Sequence, residues 1–90
     1  MLDLAPQDGA GHRVFADIAW HGGRYDKALE HFRVAAELSP ESADVTCDIV
    51  SLLFDAGRYE DALAEVRAGR GRHPENARLR EQEIEALRAA

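Results

Sequence analysis

Ninety residues set the scale of one small domain, a size that hides roughly 60–65% of the surface its unfolded chain exposes. The composition is 46% hydrophobic and 31% charged, with much alanine and few aromatics, which favours helix over strand. A net charge of −6 argues against nucleic acid as a partner, and the single cysteine, Cys47, excludes an intrachain disulfide.

The acidity is uneven: residues 1–56 carry ten acids against four bases, and residues 57–90 carry seven of each. The first residues lack the basic and apolar runs of a signal peptide. The longest apolar stretch, Ile49–Phe54, contains Ser51 and is too short to span a bilayer. No membrane partner is expected, and a cytoplasmic location is the expectation.

In chain order, residues 1–8 read as the remnant of a preceding repeat or an N-terminal arm, because Leu4 and Pro6 match Leu38 and Pro40. A helix follows to about His21, and Gly22-Gly23 stops it. A second helix runs from Tyr25 to Leu38, ended by Ser39-Pro40. The spacing of Val45, Ile49, Leu52 and Leu53 predicts a third helix over 43–55, with Gly57 as its stop. A fourth starts at Tyr59 with Ala62, Leu63 and Val66 inward and reaches toward Arg70. Gly69 and Gly71 each cost roughly 1 kcal/mol against alanine in a helix interior, which predicts an early end near Gly69. Asn76 to Ala90 form a last amphipathic helix, expected to turn Leu79, Ile84 and Leu87 inward and a polar side outward.

The elements repeat with a period of 34. "GRYDKAL" at 23–29 returns as "GRYEDAL" at 57–63, and Pro6, Pro40 and Pro74 are evenly spaced. Asp8, Ser42 and Asn76, all helix N-cap types, keep the same offset. A single helix pair has one apolar stripe per helix and one neighbour, so stacking has to supply the missing surface.

The 34-residue unit with Ala28-x3-Phe32 and then Pro40, echoed by Ala62-x3-Val66 and Pro74, resembles the tetratricopeptide repeat. Glycine at the turn with Tyr25 two residues on strengthens the likeness, which covers about residues 9–90. The family's usual Trp, Leu-Gly and Tyr slots hold His12, Phe15-Ala16 and Ala19, then Thr46, Ile49-Val50 and Leu53. Val50 is large for a slot of close helix approach, which predicts a slightly splayed second unit.

The resemblance implies an all-α, right-handed α-solenoid. Repeat one spans 9–42, repeat two 43–74, and a capping helix 75–90. It further implies a non-catalytic scaffold whose first helices line a concave groove for a peptide or helix of another protein. Carried onto this chain, the groove residues are Arg13, Asp17, Trp20 and His21, then Asp44, Cys47, Asp48, Ser51, Phe54 and Asp55. The last helix adds Arg78, Glu81, Gln82, Glu85 and Arg88. Trp20 and Phe54 hold equivalent positions and are expected side by side, either as an anchor for a ligand or as core. The aspartates suit a basic or mixed basic–apolar segment; the alternative is a solvated face paired with Arg13 and Arg78. The subclass that clamps a C-terminal carboxylate has Asn or basic groups where this chain has Asp48 and Ser51, so that ligand type is excluded.

No catalytic residue, metal site or cofactor is expected. No two of His12, His21, His31 and His73 share the i, i+4 spacing of a one-helix ligand pair. Serines sit in no nucleophile elbow. The second functional alternative is self-association, as a homodimer through an N-terminal face that no earlier helix covers.

Overall fold

A computed structural model describes residues 9–89, so the expected remnant or arm at 1–8 lies outside the described residues. Those residues form five helices and no strand. They are α1 (Gly9–His21), α2 (Tyr25–Leu38), α3 (Ala43–Asp55), α4 (Tyr59–Arg72) and α5 (Ala77–Ala89). None is long and apolar enough to cross a membrane.

The turns inside the two repeats are built alike. Gly23 and Gly57 take φ of +78° and +76°, a left-handed conformation that strains any residue with a Cβ. After α3 the Arg58 N–H donates to Leu53 O at 2.9 Å and the Gly57 N–H to Phe54 O at 3.0 Å. Arg24 and Gly23 bond in the same way to Ala19 O and Trp20 O. This crossed pair of bonds is the Schellman ending that satisfies a helix's last carbonyls. At the start of α5, the Asn76 side chain accepts the Leu79 N–H at 3.0 Å, a true N-cap. Ser42 precedes α3 as the sequence predicts, but its hydroxyl makes no capping bond.

The core runs through the stack as Phe32, Val45, Ile49, Val50, Leu52, Leu53, Val66 and Leu79, with small residues where helices press close. Ala16, Ala28 and Ala62 are fully buried. Ala28 and Ala62 are one period apart, so each repeat uses the same contact between its two helices. Val50 stands where repeat one has Ala16, and α3 packs on α4 less extensively than α1 on α2.

Two sequence expectations are overturned. First, α4 does not end near Gly69 but continues to Arg72. Gly69 is buried, and a Cβ there would lie 2.6 Å from the Thr46 methyl of α3. The glycine lets the two helices approach, and that packing outweighs its low helix propensity.

Second, α5 turns Leu79, Gln82 and Ala86 inward, while Ile84 and Leu87 are 48% and 52% exposed. One period earlier, at Val50 and Leu53, the same positions are buried. There α4 supplies the covering helix. Among the described residues no helix follows α5 to do so.

Candidate functional site

The groove expected from the repeat lies on α1, α3 and α5. Four side-chain hydrogen bonds join these helices, and three of them span 35 residues. The Arg13 guanidinium donates to the Asp48 carboxylate at 2.7 Å. The Trp20 indole N–H donates to Asp55 at 2.8 Å. The Gln82 amide donates to Cys47 O at 3.1 Å and to the Ser51 hydroxyl at 3.2 Å.

The offset of 35, rather than 34, has a geometric cause. Equivalent positions in stacked repeats point roughly the same way, so a side-chain bond between repeats is favoured at an offset from the period. A side chain aimed at the next repeat meets a residue that aims back, one position further on. This corrects the expectation that Trp20 and Phe54 form a pair. Trp20 instead stands edge-on to Phe32 of α2, centroids 6.0 Å apart, and Phe54 lies 6.0 Å from Tyr59 of α4. Both rings are partly buried against the core.

The remaining candidates separate into open and closed groups. Asp17, His21, Asp44, Asp55 and Arg78 are exposed. The His21 imidazole donates to Asp17 O at 2.7 Å and sits 3.7 Å from its carboxylate. The Asp44 carboxylate has no hydrogen-bond or ion-pair partner among the described residues. Asp48 and Ser51 are half-buried and engaged by Arg13 and Gln82. Glu81, Glu85 and Arg88 of α5 are exposed.

Two of the named groove residues are not in the groove. Cys47 is 1% exposed and belongs to the core. Burial pushes its thiol pKa up, against a smaller opposing effect of Arg78, which disfavours the reactive thiolate. Gln82 is buried between α5 and α3.

An open depression of about 430 Å³ lies beside the Arg13–Asp48 pair, lined by Arg13, Val14, Asp17, Phe32 and Asp48. Val14 was missed by sequence reasoning. It is one period before Asp48 and lines the same depression. The structure also brings together His12 and His31, whose Nδ1 atoms are 3.1 Å apart across α1 and α2. A search along one helix does not find such a pair. Among the described residues no three His, Cys, Asp or Glu side chains gather as a metal site would need.

A family model described as tetratricopeptide repeat matches residues 19–89 of this chain. No curated protein matches it.

Proposed function

The chain belongs to the tetratricopeptide repeat family, and from that membership we propose that its α1–α3–α5 face holds a basic, partly apolar segment of another protein. Family members serve broadly as protein–protein interaction modules, and this chain is one in that general sense. In the same proposal the module is a non-catalytic one.

One observation carries the reading. The ion pair between Arg13 and Asp48 occupies a single aspartate of this face, while Asp17, Asp44 and Asp55 remain exposed on it. Lysine or arginine side chains of a bound segment would meet these carboxylates. Its apolar residues would meet Val14 and the uncovered edges of Trp20 and Phe54. Exposed carboxylates contribute more to steering and selectivity than to raw affinity, so binding should weaken as salt rises.

The test is a labelled lysine–leucine peptide measured by fluorescence anisotropy, against the same peptide with glutamate for lysine. Asp17→Lys combined with Asp44→Lys should weaken the lysine peptide about tenfold or more, with circular dichroism confirming the fold. Equal binding of the two peptides, or unchanged affinity in the folded variant, overturns the assignment.

A further inference from the structure

A second open surface is built by α1 and α2 at the N-terminal end of the described stack. Phe15 and Ile18 are 42% and 62% exposed there. With Ala19 they form the apolar lining of a depression of about 470 Å³, whose polar side chains are Arg24, Lys27 and His31. Among the described residues, a chain of net charge −6 lines this depression with bases and no acid.

The same surface occurs again one period later, and there it is covered. Ile49 and Leu52 stand 34 residues after Phe15 and Ile18, and each is 1% exposed. From the preceding repeat, α2 packs on α3 with Tyr25, Leu29 and Ala36 against the core. Its Arg33 reaches Glu65 of α4 at 2.9 Å. One period before Glu65 and Asp61 stand His31 and Lys27. The apolar floor is repeated, but the charge beside it is inverted.

We propose that this face docks an amphipathic helix of a partner protein, laid as α2 lies on α3 and α4. Its apolar stripe covers Phe15 and Ile18. It bears carboxylates where α2 bears Arg33, and these meet Lys27, Arg24 and His31. A second copy of the chain fits less well, because a two-fold pairing of this face sets bases against bases. The site shares no residue with the depression beside Asp48, so it stands or falls independently of the groove.

The probe is a labelled helical peptide with leucine at the positions of Leu29, Phe32 and Ala36 and glutamate at that of Arg33. Its counterpart keeps arginine at that position and is otherwise identical. The glutamate peptide should bind about tenfold tighter at low salt. Lys27→Glu with Arg24→Glu should reverse the preference, and Ile18→Asp should abolish binding of both. Asp44→Lys in the groove should change neither. Both substituted basic residues are exposed, so the charge reversal reads out even if Ile18→Asp does not fold. Equal affinity for the two peptides, or binding that survives the double charge reversal, overturns the proposal. So does concentration-dependent self-association in sedimentation that Ile18→Asp removes, which would give the face to a second copy.

Discussion

Trp20 and Asp55 are joined across the repeat boundary, indole N–H to carboxylate at 2.8 Å. The bond ties the end of α1 to the end of α3, so each repeat helps to orient its neighbour's groove helix. Asp55→Ala should cost about 0.5–1.5 kcal/mol of stability, the usual net worth of an intramolecular hydrogen bond. Asp55→Asn, which keeps an acceptor oxygen, should lose less. Urea unfolding compares the two; equal losses would show that the bond is not what Asp55 contributes.

Gly69 and Gly71 sit two residues apart in α4 and should respond to alanine with opposite signs. A Cβ at 69 meets the Thr46 methyl of α3, so Gly69→Ala should destabilise by about 1–3 kcal/mol as α3 and α4 are forced apart. A Cβ at 71 meets nothing within 4 Å, so Gly71→Ala should stabilise by about 0.5 kcal/mol through helix propensity near a helix end. Thermal unfolding of the two variants measures the contrast, and a shared sign contradicts it.

Glu83 of α5 takes charge-assisted bonds from Arg70 and, at 3.3 Å, from Arg67 of α4. Its carboxyl is held below the usual glutamate value of 4.5, chiefly by the Arg70 hydrogen bond. A lowered carboxylate pKa in the folded state stabilises the fold above the unfolded value, and that stability is lost as pH falls through the folded one. Glu83→Gln should therefore be less stable than the parent at neutral pH. The gap should close as pH drops below 4.5. A gap that stays constant down to acid pH would assign the loss to packing instead.

Cys47 gives a probe of the core. Its thiol is buried and its pKa raised. A thiol reagent should label it on the order of a hundredfold more slowly in the native protein than in denaturant, because access requires opening of the stack. Fast native labelling would mean that α3 and α5 part readily.

The repeat was legible because it rests on local rules. Glycine at 23 and 57 ends a helix wherever the chain turns back in this way, and proline at 40 and 74 forbids continuation. The apolar spacing in α3 fixes which side of that helix turns inward. All of these act within a few residues and leave a mark at fixed offsets. The acidic face was legible for the same reason, since Asp17, Asp44 and Asp55 fall on the outward side of regular helices.

Everything that depends on which helix lies beside which was decided by the fold. Stacking by a near-translation makes equivalent side chains parallel, so Trp20 meets Asp55 and not Phe54. Gly69 continues a helix that propensity would end, because α3 leaves room for nothing larger. Ile84 and Leu87 have the composition of an inward stripe, yet stand exposed beside a buried Gln82. A helix has as many buried sides as it has neighbours. The sequence by itself determined the helices, their period and the charge of their outer sides; the number and placement of neighbours, which set the core, the contacts between groove helices and the exposed stripe of α5, came only with the tertiary structure.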